Sequence, residues 1–212
     1  MPAVGFLKAP AGLPLPPRGD RRRGRVGLLG GSFNPAHDGH RHISVEALKR
    51  LGLDEVWWLV SPQNPLKARA GMAPLGDRVA TARTVANHPR LRPTDLERHL
   101  GTTYTAETVG RLRRAFPRLR FVWLMGADNL IQIPHWHRWT AIFHAVPVAI
   151  LDRGPYSGRA LAGLAARRFA AARMPAKGAA ALAGREPPAW VFLPIRRHAA
   201  SATAIRARHE TG

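Results

Sequence analysis

The chain has 212 residues, 33 Lys plus Arg against 13 Asp plus Glu, and no Cys. The missing Cys excludes a disulfide framework, a thiolate metal site and a Cys nucleophile, and a hydrophobic content of 45% excludes a wholly disordered chain. The net charge of +20 points to anionic partners, whether nucleic acid, acidic lipid or phosphorylated small molecules, while no apolar run approaches the ~20 residues of a membrane span.

Residues 1–24 are expected to form a disordered, basic, Pro-rich N-terminal extension. Four Pro lie between Pro10 and Pro17 and five Arg between Arg18 and Arg25, leaving too little apolar surface to offset the ordering entropy. Residues 25–212 are expected to form a single domain. Val26-Gly27-Leu28-Leu29 reads as a buried strand ending in Gly30-Gly31. His40 to Leu51 carries Ile43, Ala47, Leu48 and Leu51 at helical spacing, and Gly52 stops it. Glu55 to Val60 is a second strand, closed by Ser61-Pro62. Helices are predicted over Asp77–Ala86 and Thr105–Ala115, and strands over Phe121–Met125 and Val146–Leu151. An Ala-rich helix over Ala160–Ala172 precedes a Gly, Pro and Ala-rich loop from Met174 to Pro188. Val191 to Leu193 is a late strand, and Ser201 to Arg208 a terminal helix. Strand and helix alternate throughout, which predicts an α/β fold: a doubly wound parallel sheet with helices on both faces. Ligands in such sheets bind beyond the carboxyl ends of the strands.

The first strand end continues as Gly30-Gly31-Ser32-Phe33-Asn34-Pro35-Ala36-His37-Asp38-Gly39-His40. Paired Gly allow close backbone approach and positive φ. The loop enters a helix whose free N–H groups and dipole favour phosphate. His37 and His40, three apart at a helix start, share one face. Together these features make an anion site with two imidazoles aimed at one phosphate; a tight turn with ordinary polar residues at the helix start is the alternative. The string is neither G-x-G-x-x-G nor G-x-x-x-x-G-K-[ST]. A metal site built from His37, His40 and His42, or from His135 and His137, lacks the distant partners such sites use, so no metal ligand is assigned.

This string resembles the Gly-Gly-(Thr/Ser)-Phe-(Asp/Asn)-Pro-x-His-x-Gly-His signature of the nucleotidylyltransferase superfamily. Ser61 to Lys67 is similar to that superfamily's Pro-rich, Lys-bearing loop. Thr103-Tyr104-Thr105, Met125 to Leu130 with Trp136-His137-Arg138-Trp139, and Ser201-Ala202-Thr203-Ala204-Ile205-Arg206 resemble stretches of the nicotinate-nucleotide adenylyltransferases. The matches run in the family's order over roughly residues 26–206. The resemblance implies a Rossmann-like fold and transfer of AMP from ATP to nicotinate mononucleotide, giving deamido-NAD and pyrophosphate by direct in-line attack. It implies His37 and His40 as the catalytic donors. Gly30, Gly31, Ser32, Phe33, Asp128, Ser201, Thr203 and Arg206 would join them around ATP. Lys67, Tyr104, Thr105 and Trp136 would bind the mononucleotide, Trp136 by stacking and Tyr104 and Thr105 through backbone N–H groups. Mg²⁺ would be carried by the ATP phosphates. A cytoplasmic enzyme without a specific nucleic-acid or membrane partner follows, and a homo-oligomer is compatible with it.

Some residues depart from the pattern. Asn34 stands where Asp is commoner, Ser32 where Thr is, Ala202 where a second Ser is, and Asp152 to Tyr156 fits the family's Arg-Pro-Gly-Tyr loop only loosely. Rival readings are a sister enzyme using nicotinamide mononucleotide or another phosphorylated acceptor, and a basic nucleic-acid-binding protein driven by the +20 charge.

Overall fold

A computed structural model of the chain describes residues 22–62, 71–152 and 157–196. The first half runs β1 (Gly24–Gly31), α1 (Asp38–Arg50), β2 (Glu55–Val60), α2 (Leu75–Ala86), β3 (Leu91–Thr94), α3 (Leu96–Leu100) and α4 (Thr105–Ala115). The second half runs β4 (Leu119–Gly126), α5 (Ala127–Gln132), α6 (Trp139–Ala145), β5 (Val148–Asp152), α7 (Ser157–Ala162), α8 (Leu164–Arg168), β6 (Arg173–Met174) and β7 (Trp190–Pro194). Seven strands form one sheet in the order β3-β2-β1-β4-β5-β7-β6, and every neighbouring pair is parallel. The order reverses between β1 and β4, which pair from Gly24↔Leu119 to Leu29↔Leu124. Their carboxyl ends flank the crevice where such sheets bind ligands.

The sheet is buried on both faces, so its strands read as continuous apolar runs. β2 is buried at every residue. Its adjacent indoles point to opposite faces: Trp57 joins Phe116, Phe121 and Phe143 in one core, and Trp58 joins Phe33, Leu48 and Leu124 in the other. Helices α1 and α2 cover the second core, and α3 to α8 the first. This is the Rossmann-like α/β architecture expected, with helices on both faces.

The elements differ from expectation where local signals are weak. β3 carries Pro93 and receives no assignment from sequence; it lies at one edge of the sheet, where a strand tolerates Pro. The helix expected over 160–172 is two short helices. A Cβ on Gly163 would sit 3.2 Å from the Ala160 carbonyl oxygen, and the chain restarts there with Gly163 as N-cap of α8. The stretch expected to be a loop after Met174 contains a 3₁₀ helix, Ala176–Gly184, with Ala179 and Leu182 buried against the sheet. Small side chains make that close approach feasible. The terminal helix expected over 201–208 lies outside the described residues.

Candidate active site

In the turn after β1, the two imidazoles are oriented by the turn's own backbone. His37 is the N-cap of α1 and is buried. Its Nδ1 accepts from the Gly39 N–H at 3.1 Å, and the His37 N–H donates to His40 Nδ1 at 3.2 Å. The two bonds form a reciprocal capping box with imidazoles in the usual Ser and Glu roles. The ring centroids lie 3.8 Å apart. Since both Nδ1 atoms accept, each neutral ring carries its proton on Nε2. The backbone therefore sets both rings as Nε2–H donors at the start of a helix, where anions are favoured.

Positive φ falls on an unexpected residue. Gly30 and Gly31 do not adopt it; Phe33 does, at φ 47°. Gly30 is required instead by packing, because a Cβ there would lie 2.6 Å from the Trp123 ring. The strained Phe33 backbone is held by its ring, which stacks on Trp58 at 5.1 Å and lies 4.7 Å from His40. Trp58 Nε1 donates to Ser44, and Ser44 donates to the His40 carbonyl. The aromatic floor and α1 are thus one unit.

Asn34 ties this turn to the segment before α2. Its Nδ2 donates to the Gly71 carbonyl at 2.9 Å, and its Oδ1 accepts from the Ala73 N–H at 3.2 Å. A carboxylate could make only the second bond, so Asn suits this site better than the commoner Asp. Arg78 completes the tie. It is 3% exposed. Its guanidinium donates to the carbonyls of Ser32 at 2.7 Å, Ser61 at 2.8 Å, Pro62 at 3.1 Å and Ala73 at 2.8 Å. Burial lowers its pKa. Sequence reasoning missed Arg78; the available signal was a cation in the first turn of a helix, against the dipole.

On the other side of the crevice, Tyr104 is the N-cap of α4 and no side chain caps that helix. Its first N–H groups, Thr105 included, are orphans of the kind a carboxylate satisfies. The Tyr104 ring is 39% exposed and packs on His137 at 4.4 Å, which joins α4 to the segment after β4. Trp136, in that segment, is half-buried against the first core. Trp139 is anchored edge-on to Phe143 and Phe169, a core position. Asp128 stands inside the first turn of α5; Gly126 is the N-cap, so Asp128 does not cap the helix.

Glu97 was also missed, because Glu97-Arg98-His99 reads as a solvated charge run. It is buried, at 5% exposure. Thr108 Oγ1 donates to it at 3.0 Å and the Ser61 side chain hydrogen-bonds to it. Burial, against these two bonds, pushes its pKa up to about 7.

Among the described residues, no cluster of three or more His, Cys, Asp or Glu could hold a metal ion, and no helix is long and apolar enough to cross a membrane. Lys67, Ser201, Thr203 and Arg206 lie outside the described residues. Residues 194 to 196 pack on α1. Arg196, after β7, accepts through its carbonyl from His42 of α1 at 2.6 Å, and Arg50 donates to the Pro194 carbonyl at 2.5 Å.

Comparison with known proteins agrees with this geometry. The cytidylyltransferase-like family model matches residues 28–208. A "probable nicotinate-nucleotide adenylyltransferase" of Cereibacter sphaeroides strain ATCC 17025 is 56% identical over 182 residues, 86% of this chain and 96% of the relative. A protein of the same name from Bradyrhizobium sp. strain BTAi1 is 53% identical over 182 residues, 86% of this chain and 95% of the relative. The structure of the Plasmodium falciparum nicotinic acid mononucleotide adenylyltransferase complexed with NaAD superposes with TM-score 0.65 over 86% of this chain and 82% of that one. At 16% identity that likeness shows the fold.

Proposed function

The chain belongs to the cytidylyltransferase-like family, and within it to the nicotinate-nucleotide adenylyltransferases, and from that premise we propose how its residues share the reaction. The enzyme is a nucleotidyltransferase of NAD biosynthesis, moving AMP from ATP to nicotinate mononucleotide with release of pyrophosphate. The mononucleotide phosphate attacks the α-phosphorus in line and pyrophosphate departs, so positioning and charge neutralisation dominate and no covalent nucleophile is needed.

In this reading His37 and His40 donate from Nε2 to the ATP phosphates as charge builds in the transition state. One observation carries it: both Nδ1 atoms are engaged by backbone N–H groups of the same turn, so the donors are set before substrate arrives. Gly30, Gly31, Ser32 and Phe33 line the triphosphate path, and Asp128, in the first turn of α5 just beyond β4, faces the nucleotide ribose. Ser201, Thr203 and Arg206 close the phosphate site from the C-terminal segment, a reading supported by the match of the family model through residue 208. Lys67 holds the mononucleotide phosphate, Trp136 stacks on the pyridine ring, and the N–H groups at Tyr104 and Thr105 take the pyridine carboxylate. Backbone donors suit an acid better than an amide, whose NH₂ would face another donor.

Mg²⁺ would neutralise the polyphosphate and ease departure of pyrophosphate. The described donor set, which lacks an acidic cluster, fits an ion held by phosphate oxygens and water rather than by a protein cage. Gly24 of β1 already pairs with Leu119, so the domain begins there rather than at residue 25; the residues before it are proposed as an extension outside the domain, and the cytoplasm as the site of action. A panel of pyridine mononucleotides with ATP, read by pyrophosphate release, tests the substrate assignment. The acid should be used in preference to the amide. Equal or better use of the amide would overturn the carboxylate subsite.

A further inference from the structure

Glu97 is a buried acid to which the reaction as described gives no task. It sits where three segments meet. Ser61, at the end of β2, hydrogen-bonds to it. Thr108, in the first turns of α4, donates to its Oε1 at 3.0 Å. The same Thr108 Oγ1 lies 2.9 Å from Thr102 Oγ1 and 3.3 Å from the Tyr104 carbonyl. The carboxyl therefore knots the end of β2 to the turn that opens α4. Burying a carboxyl is costly, and an apolar side chain would serve packing alone at less cost.

We propose that Glu97 is a positioning residue of the acceptor subsite: by holding Ser61 and Thr108 together, it fixes the turn whose Tyr104 and Thr105 N–H groups take the acceptor's carboxylate. This rests on the assignment of that carboxylate to Tyr104 and Thr105. The protonation state of Glu97 matters to the turn. Ionised, it draws the single Thr108 proton to itself. Protonated, it donates to Thr108 or Ser61, and the Thr108 hydroxyl turns its proton onto the Tyr104 carbonyl, inside the subsite. An arriving carboxylate then meets a neutral neighbour rather than an anion. Glu97 titrates near neutrality, at about 7, so both forms are accessible. By linkage, acceptor binding and proton uptake favour each other.

The other charged groups around it leave this account intact. On α3, Asp95 pairs with His99 at 3.5 Å, and Arg98 is the remaining charge. On α4 the charges are Glu107, Arg111, Arg113 and Arg114, and Arg111 donates to the Leu100 carbonyl. On β2 the one charge is Glu55, at the far end and paired with Arg92, and on α2 the buried Arg78 directs its guanidinium to the carbonyls of Ser32, Ser61, Pro62 and Ala73. The shift of Glu97 comes from burial, opposed by its two hydroxyl partners.

The test uses the full-length enzyme and the variants Glu97→Gln, Glu97→Ala and Thr108→Val. kcat and separate KM values for ATP and nicotinate mononucleotide are measured from about pH 5.5 to about pH 8.5. Glu97→Ala and Thr108→Val should raise KM for the mononucleotide about tenfold while KM for ATP stays within about twofold. In the wild type, KM for the mononucleotide should climb above about pH 7. Glu97→Gln should keep a low KM and lose that climb, and the difference between these two profiles removes the acceptor's own phosphate titration. KM values for both substrates rising together would overturn the proposal, as would a Glu97→Gln profile matching wild type. If Glu97→Ala does not fold, Glu97→Gln and Thr108→Val decide the matter. A wild type that prefers the acid, with variants unchanged in acceptor KM, sinks the role of Glu97 alone. A wild type indifferent between acid and amide sinks the carboxylate subsite, and this proposal with it.

Discussion

The turn after β1 and the knot around Glu97 build two sides of one crevice by opposite means. The imidazoles of the turn are held by bonds between near neighbours: His37 to Gly39, and His37 to His40. Both rings are set by backbone N–H groups of the turn itself. The knot has no such autonomy. Ser61, Glu97 and Thr108 belong to different elements, and their bonds exist because α3 and α4 pack against the end of β2. The imidazoles proposed for the phosphates are thus oriented locally, while the turn proposed for the acceptor is oriented by the tertiary fold. Arg78 bridges the two, bonding Ser32 on the first side and Ser61 on the second.

Removing the bridge should have the largest effect. Arg78→Met leaves buried carbonyls without a charged donor, each worth about 1.5–3 kcal/mol, so a loss of about 4 kcal/mol or more is expected by urea denaturation. Arg78→Lys should recover only part of this, since one ammonium cannot reproduce the fork. If Arg78→Met retains wild-type stability, the two sides of the crevice are independent of each other.

Breaking the local side alone is the next test. His40→Ala should lower kcat about 10²-fold or more with the fold intact by circular dichroism and only a modest rise in KM for ATP. Near-normal kcat would remove His40 from the phosphate site.

The tertiary side leaves a signature in stability against pH. The pKa of Glu97 is raised from 4.5 to about 7 on folding, so the folded state binds the proton more tightly than the unfolded state. Stability from this group is full below about pH 4.5, falls as pH rises towards about 7, and levels off above, a loss of about 3 kcal/mol. Glu97→Gln should flatten that descent in urea titrations across the window. An unchanged descent would place the titrating group elsewhere.

The smallest effect is expected where a single bond joins the turn to its neighbour. Asn34→Asp loses the donor to the Gly71 carbonyl and keeps the acceptor for Ala73, a cost of about 1 kcal/mol. A gain in stability would mean that the helix dipole outweighs the missing bond.

Much of this was legible in the chain. The alternation of strand and helix gave the parallel sheet, and the His-x-Gly-His spacing placed two rings on one turn, because both are properties of residues close in sequence. Short elements escaped. β3 holds Pro93, and α3 is five residues long, so neither builds a periodic signal. The long Ala-rich helix failed because composition gave no sign that Gly163 would restart the chain. Within the turn, the Gly pair suggested positive φ, yet Phe33 bears it. The indoles of Trp58 and Trp123, brought in from other strands, decide which residue bends.

The sequence by itself determined the class of sheet, the place of the crevice and the pairing of His37 and His40 on one turn beside it, since helix capping and strand patterning act over a few residues. Only the tertiary structure decided that Arg78 would be buried among four carbonyls and that Glu97 would titrate near neutrality. Desolvation depends on what packs around a group, and those neighbours come from elements far apart in the chain.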